Sequence, residues 1–512
     1  MRDEVDKLLR EAAARVLREH APEALELVAS LSVVPPKTAE HGDFASNAAL
    51  VLAKALRRPP RQVAELLQQA LGNGGGALER SEIAGPGFLN VFLARSRWRD
   101  AIVRVLQEGA GFGRTSSGAG AAVMVEFVSA NPTGPLTIGH GRNAVLGEPA
   151  ELPDEGYQGE YLVEIARALA AEVGASWRDG DEARFKARAT DAIFADIERT
   201  LVDLGVRFDS HFNEHTLFER KLVDRTLDDL RARGLVFEEE GAVWLRSTGF
   251  GLERDRVLIK KTGEATYLLP DIAYHRESLA RGLSRIIDVL GPDHIAQFPY
   301  VRAAVSALGG DAERIELVMY QWVNLRRGGE LVKMSTRKAS FVTVDDVLAE
   351  VGRDVFRYFM VERRADSHLD FDVELAVERS ERNPVFKIQY AHARLCSIAR
   401  KADEAGLGLG DDPRALALGR IDAPEEIELA KLVERLPDVV QHAAQAREPQ
   451  ELARYLLELA NAFNGYISDG KRHRVVSDDH ELSLARLALV SAVRTALANG
   501  LALLGVAAPE RM

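Results

Sequence analysis

Val123-Met124-Val125-Glu126-Phe127-Val128-Ser129-Ala130-Asn131-Pro132-Thr133-Gly134-Pro135-Leu136-Thr137-Ile138-Gly139-His140-Gly141-Arg142 is the stretch on which the fold turns. Its first six residues form a short, mostly apolar β-type run, as expected of a buried parallel strand. Asn, Pro and Gly then crowd together, and a tight strand-to-helix turn is the simplest account of them. Three features go further. Thr137 can serve as an N-cap, which would put His140 in the first helical turn. Unpaired N–H groups and the positive end of the helix dipole favour phosphate there. Gly139 and Gly141 bracket the histidine and allow a flat ligand to approach the backbone. Together they describe a phosphate or nucleotide site at the carboxyl end of a parallel strand, where open α/β sheets bind ligands. His140 would donate to a phosphate oxygen as charge builds up during attack on the α-phosphate.

Outward from this stretch, strand and helix patterns alternate to about residue 345, with an insertion near 175–260. That alternation predicts a Rossmann-type, doubly wound parallel sheet. Upstream, Leu8, Leu9, Ala12, Ala13, Val16 and Leu17 recur at helical spacing in a helix over the first ~28 residues. Pro60 can start a further helix, and residues 82–93 read as strand, turn, strand. An N-terminal α/β domain over 1–112 follows. Downstream of about 380 the pattern is almost entirely helical, with Leu452, Tyr455, Leu456, Leu459 and Phe463 on one stripe. The expected division is 1–112, 113–375 and 376–512, the last an all-α bundle.

Composition narrows the function classes. The net charge of −12 excludes a protein that coats nucleic acid by bulk charge, but leaves room for local basic patches. No apolar run approaches the ~18–20 residues of a membrane span. The single cysteine, Cys396, excludes an intrachain disulfide and a Cys-rich zinc site, which fits a reducing cytoplasm. One basic patch stands out: residues 324–340 hold Arg326, Arg327, Lys333, Arg337 and Lys338 against Glu330 alone. A solvated loop is the ordinary reading of such a run. A basic loop over a second strand end would also neutralise a leaving pyrophosphate.

Residues 124–142 closely resemble the HIGH signature region of class I aminoacyl-tRNA synthetases, in the form found in arginyl-tRNA synthetases of bacterial type. Thr137 stands where that family has its first histidine. Lys333-Met334-Ser335-Thr336-Arg337-Lys338 resembles the KMSKS loop, with Thr336 in place of the second lysine. Which cation meets pyrophosphate stays open. The resemblance implies catalytic roles for His140, Thr137, Lys333, Ser335 and Arg337, and ATP contacts from Gly139, His140, Gly141, Asp293, His294 and Met334. It implies arginine contacts from Glu126, Ser129, Asn131, Tyr267 and Asp271. On chemistry alone, Asp271 ranks first as the N-cap of a helix Ile272 to Arg281; the resemblance makes Tyr267 and Asp271 readers of the guanidinium. A carboxylate suits that task through bidentate pairing.

The flanks carry the resemblance further. Gly42-Asp43-Phe44-Ala45-Ser46-Asn47 and Ile83-Ala84-Gly85-Pro86-Gly87-Phe88-Leu89-Asn90 resemble the N-terminal domain of arginyl-tRNA synthetases, which implies tRNA contact by Phe44 and Asn47. Phe44, Asn47 and Phe88 could stack on or hydrogen-bond a loop base; they could equally be core and turn residues, and for Phe88 that is the expected case. The helical end resembles the family's anticodon-binding domain, with Lys471, Arg472 and Arg474 beside Tyr466 as an RNA patch. The implied activity is ATP-dependent activation of L-arginine and transfer to tRNA(Arg) by a cytoplasmic monomer. Mg2+ would travel with ATP, no protein metal site is expected, and no membrane is involved. One piece is out of place. Pro149 and Pro153 follow Val145 so closely that the ~30-residue crossover after the first core strand has no room. A catalytically inactive tRNA-binding paralogue is therefore the alternative.

Overall fold

Proline and glycine set the limits of the first elements. Helix α1 (Arg2–His20) buries Val5, Leu9, Ala12, Ala13, Val16 and Leu17. It stops short of residue 28 because Ala21 leaves the helical conformation ahead of Pro22, and Pro22–Ser30 continues only as a 3-10 helix. Strand β1 (Phe44–Ser46), helix α2 (Ala48–Leu56) and helix α3 (Pro60–Leu71) follow, the last with Pro60 at its first position as expected. Strands β2 (Leu78–Ala84) and β3 (Phe88–Leu93) complete an antiparallel sheet in the order β1-β3-β2. Gly42 precedes β1 with φ +89, and a Cβ there would stand 2.6 Å from the Val91 carbonyl oxygen. Only glycine fits both the φ and the space. Helix α4 (Arg95–Glu108) leaves this domain toward the C-terminal bundle.

The molecule is a computed structural model that describes residues 1–36, 38–128, 136–137, 165, 167–168, 171–172, 182–332 and 342–512. The catalytic sheet opens with β4 (Val123–Glu126). Next come α5 (Glu182–Asp203), α6 (His215–Glu219) and α7 (Leu222–Ala232). A small antiparallel sheet follows in the order β5 (Val236–Glu239), β6 (Ala242–Leu245), β7 (Arg256–Ile259). It lies inside the expected insertion. Helix α8 (Leu268–Ala280), strand β8 (Arg285–Leu290), helix α9 (Phe298–Ala307) and strand β9 (Ile315–Met319) return to the core. β4 and β9 both pair parallel to β8, giving the order β4-β8-β9. Helical crossovers and parallel pairing are the doubly wound architecture.

One expectation about β4 is corrected. A buried parallel strand should hide its apolar side chains, yet Val123 and Val125 are 45% and 47% exposed. Among the described residues β4 is the end strand of its sheet, and nothing described covers that face of it.

Strand β10 (Val323–Arg327) pairs antiparallel with β11 (Glu330–Leu331). After α10 (Val344–Val351) and α11 (Arg353–Val361), β12 (Leu369–Asp372) joins β10 in parallel, and α12 (Val373–Val377) closes the unit. The bundle comprises α13 (Pro384–Glu404), α14 (Pro424–Glu434), α15 (Leu436–Ala446), α16 (Gln450–Ser468) and α17 (His480–Leu503). By length and composition α17 alone among the described helices could cross a membrane, contrary to the reading of no such run. Most of its apolar stretch is buried in the bundle instead.

The N-terminal domain and the bundle share one hydrophobic core, while the catalytic sheet packs mainly in a second. Trp98, Ile102 and Val105 of α4 are buried where it meets α14 and α17. Lys431 of α14 pairs with Asp43 at 2.5 Å, and Asp43 also accepts from the Leu93 N–H at 2.7 Å. The Asn499 amide donates to the carbonyls of Gly109 and Phe112 at 2.9 and 2.8 Å. These contacts fix the two flanking domains to each other without passing through the catalytic sheet.

Candidate active site

The carboxyl ends of β4 and β8 and the first turns of α8 bring the described site residues together. Glu126 is the last residue of β4, and Oε2 of its carboxylate accepts from the Tyr274 hydroxyl at 2.5 Å. Across the pairing register, Glu126 stands opposite Asp288 of β8. Asp288 is buried, and its Oδ2 meets His275 Nε2 at 2.9 Å. The other ring nitrogen, Nδ1, lies 2.7 Å from the Asp271 carbonyl. Both partners accept only, so the ring donates from both nitrogens and is an imidazolium. Burial works against that charge, but Asp288 and the two hydrogen bonds outweigh it and push the His275 pKa up to about 9.

Asp271 does not cap α8. The helix starts at Leu268, with Tyr267 in the cap position, because Leu268, Leu269, Ile272 and Ala273 all find buried places. Pro270 is tolerated within the first turn. Asp271 is therefore an acidic residue of the first helical turn, and its Oδ2 accepts from the Gln297 amide. Tyr267 is 62% exposed at the head of the same helix. His294 lies half-buried in the 3-10 turn after β8. The side chain of Asp293 lies outside the described residues, as do Ser129, Asn131, Gly139, His140, Gly141, Lys333, Met334, Ser335 and Arg337.

The ends of the two signature segments are nevertheless joined. Thr137 forms an antiparallel bridge with Thr343, and the Val344 N–H donates to the Leu136 carbonyl at 2.8 Å. Thr343 caps α10 through a capping box with Asp346. The helix that Thr137 was expected to cap lies outside the described residues. Val128, just past β4, is held at φ +55, which is strained for a β-branched residue. Such strain concentrates at functional sites.

The basic patch is weaker than its composition suggests. Arg326 pairs with Asp370 at 2.9 Å, and Arg327 makes a bidentate pair with Glu350 at 2.8 Å. The guanidinium of Arg327 in turn holds Glu350 below the usual carboxylate range. Two of the five cations are thus neutralised by acids that are distant in sequence.

At the flanks the aromatic readings are revised. Phe44 is 7% exposed in the core of the N-terminal domain, so its ring is not presented to a base. Phe88 is 42% exposed at the start of β3, directly after the turn at 85–87, so it is not a core residue. Asn47 is exposed at the start of α2. Lys471, Arg472 and Arg474 are exposed beyond α16, with Arg472 held to Glu425 at 2.9 Å. Tyr466 is buried, packs on His473 and donates to Glu426, so its ring is not presented beside these cations for stacking.

Four residues of the site escaped the sequence reading. Asp288 carries the signal that Glu126 did, a charge within an apolar strand. Tyr274 and His275 follow Asp271 by three and four residues, the spacing of one helical face. Gln297 offers no signal, since only the turn after β8 brings it to Asp271.

Three family models match successive parts of the chain. The model of the arginyl tRNA synthetase N terminal domain matches residues 3–93, that of the class I (R) tRNA synthetase catalytic domain 158–380, and that of the DALR anticodon binding domain 388–512. The arginine–tRNA ligase of Desulfotalea psychrophila is 42% identical over 521 residues, covering 93% of this chain and 94% of that protein. That of Desulfosudis oleivorans is 39% identical and covers 100% of both, but over 560 residues against the 512 of this chain. The Thermus thermophilus arginyl-tRNA synthetase structure shares the fold with a TM-score of 0.74 at 24% identity, over 97% of this chain and 100% of that one. With relatives of this identity aligned along nearly its whole length, the chain belongs to the arginyl-tRNA synthetases.

Proposed function

We propose that this chain is an arginine–tRNA ligase working in two steps at the carboxyl ends of β4 and β8. A carboxylate oxygen of L-arginine attacks the α-phosphorus of ATP, and pyrophosphate leaves. A hydroxyl of the terminal ribose of tRNA(Arg) then attacks the acyl carbon, and AMP leaves. No covalent enzyme intermediate is required, so catalysis rests on positioning and electrostatics.

The observation that carries this reading is the Thr137–Thr343 bridge. Thr137 lies three residues before His140, and Thr343 three residues after Ser340. The bridge thus joins Thr137 of one signature segment to a residue five positions beyond Lys338, the end of the other. His140, with Gly139, Gly141 and Thr137, is assigned to the α-phosphate, and Lys333, Ser335 and Arg337 to the leaving pyrophosphate. Met334, Asp293 and His294 are assigned to the adenosine side. Glu126, Ser129, Asn131, Tyr267 and Asp271 are assigned to arginine, because its guanidinium and ammonium call for carboxylates and neutral acceptors. Mg2+ enters with ATP and supplies charge neutralisation on the phosphates.

Asn47, Lys471, Arg472 and Arg474 are assigned to tRNA, and Phe88 takes the place first given to Phe44. The domain limits 1–112, 113–375 and 376–512, a monomeric state and a cytoplasmic setting complete the reading. The buried, unpaired Cys396 suits that setting. Incubation with ATP, labelled arginine and tRNA is expected to give acid-precipitable arginyl-tRNA. The product should fall steeply with added salt, since phosphate contacts release counterions. An inactive paralogue would bind tRNA and leave it uncharged.

A further inference from the structure

Adjacent residues of α8 bind that helix to both strands beneath it. Tyr274 reaches the carboxylate of Glu126 on β4, and His275 reaches Asp288 on β8. Since Glu126 and Asp288 face each other in register, the two anchors lie side by side on the sheet. The imidazole also turns back along its own helix to the carbonyl of Asp271, four residues earlier. That carbonyl is joined through Cα and Cβ of the same residue to the carboxylate assigned to the guanidinium. The His275 ring therefore spans from the buried strand to the backbone of Asp271, with no flexible link between.

Asp288 makes the arrangement dependent on the histidine. Its Oδ1 is buried with no hydrogen-bond partner among the described residues, so His275 is its compensating donor. A buried carboxylate with one partner holds that partner tightly, because losing it leaves an uncompensated charge. Gln297 then sets the rotation of the Asp271 carboxylate about the position the ring has fixed.

We propose that His275 is a positioning residue for arginine selection: clamped between Asp288 and the Asp271 carbonyl, it fixes the first turn of α8 and thereby the carboxylate of Asp271. The inference rests on the reading of Asp271 as a guanidinium contact. A planar fork needs a carboxylate at a defined angle, whereas a point-charge ammonium does not. Misplacement of the helix turn should therefore weaken arginine more than ATP.

The test is steady-state arginine-dependent ATP–pyrophosphate exchange with the full chain, per active site titrated by adenylate formation, so that any misfolded fraction drops out of kcat, while KM does not depend on it. His275→Ala is expected to raise KM for arginine about 10-fold or more, as a displaced positioning group does. KM for ATP and kcat should stay within about 2-fold, since neither depends on the rotated carboxylate. His275→Gln, whose amide can still donate to Asp288, should recover most of the loss. Equal increases in both KM values, or an unchanged KM for arginine, would overturn the proposal. Asp271→Asn run alongside separates the two levels. If it too leaves KM for arginine unchanged, the reading of Asp271 fails; if it raises KM while His275→Ala does not, only the positioning role fails.

Discussion

Glu426→Ala is expected to lower the stability of the C-terminal bundle by about 3–5 kcal/mol, the cost of breaking a buried ion pair from one side. Glu426 is buried near the start of α14, and both of its oxygens are engaged. Oε1 accepts from Arg486 Nε at 2.8 Å and from the Tyr466 hydroxyl at 3.3 Å. Oε2 accepts from the N–H groups of Asp422 and Ala423 at 3.2 and 3.1 Å, which satisfies the amino end of α14. Removing the carboxylate strands the Arg486 guanidinium in the interior with the Arg474 carbonyl as its remaining described partner. Glu426→Gln keeps acceptors for the helix end and gives up the charge, so it should cost less. Denaturation midpoints by circular dichroism check the order: wild type, then Gln, then Ala. Because Arg486 holds the backbone of Arg474, the Ala variant should also bind tRNA more weakly. A midpoint for Ala equal to wild type would remove the pair from any structural account of the bundle.

Asp271→Asn is expected to raise KM for arginine by about two to three orders of magnitude, equivalent to ~3–4 kcal/mol. The effect is large because the substituted amide replaces one acceptor with a donor facing a guanidinium, itself entirely a donor. Gln297 now holds Asp271 by donating to Oδ2. In the variant one acceptor facing the guanidinium becomes a donor, and even with Gln297 turned to accept from it a single neutral oxygen remains for the substrate. Citrulline, the neutral isostere of arginine, measures the charge component. Wild type should reject it strongly, and Asp271→Asn should narrow the gap. Retention of the wild-type KM would mean that Asp271 only supports α8.

The sequence made the architecture legible because periodicity and punctuation decide it. The apolar run at Val123, the alternation to about 345 and Pro60 at a helix start all reappear in the structure. What stayed hidden depends on distant partners. Arg326 and Arg327 read as free cations because Asp370 and Glu350 lie far along the chain. Whether Phe44 or Phe88 is covered stayed hidden, since both lie in short strands and only the packing of the sheet decides which ring is buried. Tyr466 looked like an RNA platform until Glu426 and His473 were seen to enclose it. Within the site, Glu126 was legible as a charge in an apolar strand, whereas the same clue at Asp288 lacked a motif around it. The start of α8 shifted by several residues because buried Leu268 and Leu269 draw the helix past Pro270. The signature segments themselves were legible as motifs, and their flanks are placed together by the Thr137–Thr343 bridge.

Val123 and Val125 of β4 are exposed, and the closely spaced Pro149 and Pro153 leave no room in the sequence for a helical crossover after that strand. Activation of arginine is the step that a shortened core would lose first, while both tRNA-facing domains could remain intact. The decisive measurement is therefore arginine-dependent exchange of labelled pyrophosphate into ATP, run with and without tRNA. Exchange that requires arginine in at least one of the two conditions is the expected result. No exchange in either, from a folded chain that still binds tRNA, would contradict the synthetase reading.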